Sequence, residues 1–180
     1  MCKQLAVLTS LVLALASFAA AQMDKSQRPS PPASASCKLP DGKTIKTDYS
    51  SPHMKGRKIY GGLVPFGQVW RAGANEATTL VTDANLTVDG KDVPAGSYTI
   101  FAIPNENNWT LIVNKKTGEW GIPYKPEYQA LELARVDMKV SQLPAPVEDF
   151  TIAYVPSGAV CTLQMDWETT RASVDIAEKK

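Results

Sequence analysis

Histidine and cysteine are scarce in this 180-residue chain: His53 is the only histidine, and there are three cysteines. Tetrahedral zinc sites draw mainly on those two residue types, so no conventional metal site can be assembled, and no cofactor is expected. No CxxC pair is present, which excludes zinc-ribbon and thioredoxin-like arrangements. A G-x-S-x-G elbow is missing too, so Ser51, although it would share a strand side with His53, has no motif that makes it a nucleophile. Asp83, Asn85 and Asp89 with Gly90 depart from EF-hand spacing and read as turn residues rather than calcium ligands. Excess charge of one sign is also lacking. The formal net charge is +1, and loss of residues 1–21 would remove Lys3 and no acid, leaving the cations equal to the 18 Asp and Glu. Proteins that bind nucleic acid generally carry a basic excess, so no nucleic-acid partner is expected.

The N-terminus has an export pattern. Met1-Cys2-Lys3 is a short positive region, Leu5 to Phe18 an apolar run, and Ala19-Ala20-Ala21 before Gln22 a small-residue cleavage site. About 14 apolar residues fall short of the roughly 20 that span a bilayer, so residues 1–21 read as a signal peptide, with no stable membrane span after cleavage. The expected location is periplasmic or extracellular. Residues 22–36, rich in Pro, Ser and Ala, read as a flexible tether, and residues 37–177 as one domain. In an oxidising compartment the two remaining cysteines, Cys37 and Cys161, are expected to form a disulfide.

From Cys37 onward the apolar pattern has period two. Thr44–Tyr49, Ala77–Thr82, Leu86–Val88, Tyr98–Ile103, Trp109–Val113, Arg135–Val140 and Phe150–Val155 read as strands, as do the segments holding Cys161–Trp167 and Ala172–Ile176. Asp89-Gly90 is the signal of a two-residue type I′ hairpin turn, and Pro156-Ser157-Gly158 marks another turn. Trp109, Leu111 and Val113 share one strand face, opposite Thr110, Ile112 and Asn114, as in a half-buried strand. Many short strands without a helical period predict an all-β fold, a single antiparallel β-sandwich, jelly-roll-like or barrel-like.

One stretch is denser in chemistry than the others. Ser50 to Thr79 carries the only histidine, five of the eleven glycines, and Lys55, Arg57, Lys58 and Arg71 against one acid, Glu76. So many glycines preclude a stable helix, while Ile59, Tyr60, Phe66, Val69 and Trp70 argue for order. A long ordered Gly-rich loop is therefore predicted, with a local field that favours anions. His53, Lys55, Arg57, Trp70, Arg71, Asn75 and Glu76 are the candidate ligand-binding residues. Arginine offers a planar fork for carboxylate or phosphate, asparagine both donates and accepts, and glutamate serves as a base or as a partner that fixes the arginine. The alternative is structural, with Arg71 and Glu76 pairing with each other, or with Lys55 and Arg57, to stiffen the loop. Trp70 and Trp120 either line a cleft or join the core.

The segments KGRKIYGGLVPFG, WRAGANEAT and PAGSYTIFAIP resemble those of the bacterial domain-of-unknown-function family 2911, over about Ser36 to Ile176. The resemblance implies an exported bacterial β-rich domain and assigns no reaction. The reading reached is an exported β-sandwich of unknown biochemical role that binds a small polar or anionic molecule. Two alternatives stand beside it: a hydrolase or lyase using Glu76 with His53 and Arg71, and a structural envelope protein.

Overall fold

A computed structural model describes residues 24–179; the signal peptide predicted at residues 1–21 lies outside the described residues. Nine strands follow in chain order: β1 (Pro32–Lys38), β2 (Thr44–Ser50), β3 (Thr79–Thr82), β4 (Leu86–Val88), β5 (Lys91–Val93), β6 (Gly96–Pro104), β7 (Asn108–Asn114), β8 (Glu132–Ser157) and β9 (Val160–Glu178). A single helical turn, α1 (Pro126–Gln129), precedes β8. All nine strands join one sheet in the order β1-β2-β3-β6-β7-β8-β9-β4-β5, and every pairing is antiparallel.

The sheet is not closed by a continuous ladder, yet it folds back over itself as a sandwich does. The chain leaving β2 is stitched to β8: Phe150 donates its N–H to Pro52 O at 2.9 Å, and Met54 to Glu148 O at 2.7 Å. The all-β antiparallel fold predicted from period-two patterning is the fold observed. The Asp89-Gly90 turn joins β4 to β5 with φ of 43° and 75°, the positive values that a type I′ turn requires.

Two expected boundaries move. The tether was drawn through Ser36, but Pro32–Ser36 belongs to β1 and pairs with β2 from Pro32↔Ser50 to Lys38↔Thr44. Small residues conceal this strand in the sequence: Ala33 and Ala35 pack against the core although neither carries much apolar surface. The second change concerns length. Segments expected as separate strands run together as β8 and β9. The β8 register shifts between Gln142 and Val147 and again between Val147 and Thr151. Pro144 and Pro146 fall in that irregular segment, where the missing N–H costs no ladder bond.

β7 is buried on both faces rather than one. Trp109, Leu111 and Val113 enter the main core, while Ile112 joins Ala77 and Phe101 in a second small cluster flanked by Tyr124. Asn114, fully buried, is satisfied by donating to Tyr128 O at 2.7 Å and accepting from Lys116 N–H at 2.8 Å. The main core centres on Trp70, Trp109, Phe150 and Trp167, whose rings meet edge-on or stacked, with Tyr60 among them. Cys37 and Cys161 form a disulfide between two buried positions, with Cα atoms 6.3 Å apart.

Candidate functional site

The stretch between β2 and β3 is ordered, as its apolar content predicted, by tight turns and by short bridges to the sheet. Val64 N–H returns to Ile59 O at 2.9 Å, closing a knot around Gly61 and Gly62. Trp70 exchanges both backbone hydrogen bonds with Ala102 of β6, each at 2.8 Å, so the loop extends the sheet for one residue pair there. Trp70 is itself core, 8% exposed, and its indole N–H donates to Gly73 O at 3.0 Å. Gly73, at φ 152°, has no room for a side chain, since a Cβ would lie 2.9 Å from Ser50 O.

The seven candidate residues separate into three groups. His53 and Lys55 are fastened to β8: His53 Nδ1 hydrogen-bonds the Asp149 carboxylate, and Lys55 N–H donates to Glu148 Oε1 at 2.7 Å. Asn75 and Glu76 are tied to the segment before β1. Asn75 donates to Ser30 O at 2.9 Å, Arg28 donates to Glu76 at 2.7 Å, and Lys25 stands 3.2 Å from its other oxygen. Glu76's own backbone N–H, then Arg28 and Lys25, outweigh desolvation and hold its carboxyl at about 2, well below the usual range.

Arg57, Trp70 and Arg71 form the third group. They line one cleft of about 290 Å³ together with Trp167, Leu63 and Ile122. Arg57 is braced by donating to His53 O at 2.7 Å and to Met54 O at 3.0 Å. Arg71 donates from Nη1 to Trp120 O at 3.2 Å and lies over the exposed Trp120 ring, 5.2 Å from its centre. Gly121 beside it, at φ 90°, has no room for a side chain, since a Cβ would come within 2.7 Å of the Ala77 Cβ and 3.3 Å of the Arg71 Cβ. Arg71 Nε is buried and has no hydrogen-bond partner. Burial pushes the Arg71 pKa down, and the nearby Glu76 charge only partly offsets this.

Arg71 and Glu76 therefore do not pair with each other, and Glu76 pairs with Lys25 and Arg28 rather than with Lys55 or Arg57. They also do not converge: Glu76 lines another cleft, of about 220 Å³, with Lys25, Arg28 and Asp48, and His53 lines neither. This arrangement gives no support to a single catalytic group of Glu76, His53 and Arg71. Sequence reasoning missed Lys25, Arg28, Glu148 and Asp149 as partners, and Leu63, Ile122 and Trp167 as walls. The partners lie 48 to 96 residues away along the chain, where spacing carries no signal.

The family described as protein of unknown function DUF2911 matches residues 30–176. The chain belongs to that family. The match begins six residues before the boundary read from the motifs and takes in all of β1, in keeping with that strand's place in the sheet. No curated protein and no solved structure matches the chain. No helix among the described residues is long and apolar enough to cross a membrane.

Proposed function

We propose that this DUF2911 domain is exported to the periplasm or beyond and there binds a small molecule bearing a carboxylate or phosphate in the Arg57–Arg71 cleft. The observation that carries this reading is the Arg71 guanidinium: Nε is buried and unpartnered in a cleft lined by two arginines and no acid. A buried donor left without an acceptor costs roughly 1–3 kcal/mol, more when charged, and an anion's oxygen would recover that. The planar fork suits bidentate recognition, while Trp70, Trp167, Leu63 and Ile122 supply apolar walls for the ligand's carbon skeleton.

The test is a thermal-shift and calorimetric comparison of succinate, glycerol phosphate and inorganic phosphate with neutral glycerol. At least one anion should raise the melting temperature and bind saturably. Arg71→Ala should weaken that binding about tenfold or more, and Arg71→Lys should not restore it, because a point charge lacks the fork. Equal binding by wild type and both variants, or no binding of any anion, would refute the assignment and favour a purely structural role in the envelope.

A further inference from the structure

The aromatic cluster that gives Trp70 and Trp167 to the arginine cleft gives Tyr60 and Trp109 to another. Tyr60 and Trp109 meet edge to face with ring centres 4.7 Å apart. The cleft they line, of about 190 Å³, also takes in Asn105, Glu106, Gln142 and Glu168. Its electrostatics are opposite to those of the first cleft: two carboxylates line it and no Lys, Arg or His does. Neither Glu106 nor Glu168 makes an ion pair among the described residues.

The second feature is the Tyr60 hydroxyl. Tyr60 is only 6% exposed, and its hydroxyl is buried with no hydrogen-bond partner. Buried tyrosine hydroxyls are normally satisfied. Burial raises the Tyr60 pKa well above its ordinary value, and the charges of Glu168, which lines the cleft, and of Asp166 add to that rise.

We propose that this cleft binds a small aliphatic amine, its ammonium donating to Glu106, Glu168 and the Tyr60 hydroxyl oxygen while its carbon chain lies against Tyr60 and Trp109. An organic cation suits the lining better than a metal ion does. No group of three His, Cys, Asp or Glu that could hold a metal exists among the described residues, and hard cations such as calcium take six to eight oxygens. It suits the lining better than a neutral sugar too, because a neutral ligand leaves two carboxylates uncompensated. Aromatic faces add attraction for a cation.

Calorimetry with putrescine as the probe, at neutral pH and low salt, tests the site, with butanediol and glucose as neutral controls. Putrescine should bind saturably, more weakly as salt rises, and the neutral compounds should not. Glu106→Gln and Glu168→Gln should each weaken binding about tenfold. Tyr60→Phe is the decisive variant. Removing an unpartnered hydroxyl should leave the melting temperature unchanged or higher, so a loss of putrescine affinity in a fully folded protein reports on recognition. Arg71→Ala should leave putrescine binding unchanged, which separates this site from the arginine cleft. The proposal is overturned by no saturable binding up to about 10 mM, by equal binding of butanediol or glucose, or by affinity insensitive to Tyr60→Phe or to both glutamate substitutions.

Discussion

Glu76 shows how far a single residue's surroundings differ from what its neighbours in sequence suggest. Placed five positions after Arg71 in a basic stretch, it reads as that arginine's partner, but the cations that hold it are Lys25 and Arg28 from a segment expected to be loose. Its carboxyl falls from the ordinary 4.5 to about 2, so it should contribute stability that is complete above pH 4.5 and lost as the pH falls towards 2. Melting curves of wild type and Glu76→Gln should therefore differ near neutral pH and converge across that window. Because the group is partly exposed, the difference should also shrink in high salt. A gap between the two proteins that stays constant from pH 7 to about pH 2 would show that Glu76 acts through shape rather than charge.

At the scale of elements, features set by a few neighbouring residues are legible in the sequence, and features set by distant partners are not. Asp89-Gly90 specified its turn because the positive φ values are a property of those two residues. The hairpin at Ser157–Val160 followed from alternation on both sides of Gly158. Ala33 and Ala35 of β1 gave no such signal, since their side chains are small and the strand is held chiefly by its backbone pairing with β2. Continuity through Pro144 and Pro146 was equally hidden, because proline usually ends a strand unless a bulge absorbs it. In the candidate site, the loop's order was legible from its apolar residues, and the division of the seven candidate residues into three groups was not, because it is set by partners far away in the sequence. Truncation tests the element-level account. A chain beginning at Ser30 should lose the Glu76 ion pairs, which are only partly buried, and with them little stability, about 1 kcal/mol. A chain beginning at Cys37 lacks most of β1 and bares the β2 edge, so it should melt much lower and aggregate. Indistinguishable melting of the two would mean that β1 adds nothing to the fold.

Across the whole molecule, the disulfide does what the open sheet cannot. Cys37 lies in β1, at one end of the strand order, and Cys161 in β9, and the bond joins positions 124 residues apart in sequence. It therefore ties the free edge of the sheet across the core to the strand that carries Leu163, Met165 and Trp167. Constraining so long a loop in the unfolded chain is worth up to about 4.7 kcal/mol in the chain-entropy model, and about 2–4 kcal/mol is typical of real bridges. For a chain of this size each kcal/mol shifts the melting temperature by about 2–4 °C, so reduction should lower it by about 5–15 °C. Both cysteines are buried, at 4% and 1% exposure, so a reductant reaches the bond only when the fold opens. Reduction in native buffer should accordingly be slow, and it should speed up in parallel with unfolding as denaturant is added. The arginine cleft is lined mostly by the stretch between β2 and β3 and by neither cysteine, so anion binding well below the lowered melting temperature should survive reduction. A Cys37→Ala/Cys161→Ala protein that melts with the oxidised wild type would show that backbone pairing alone secures the edge.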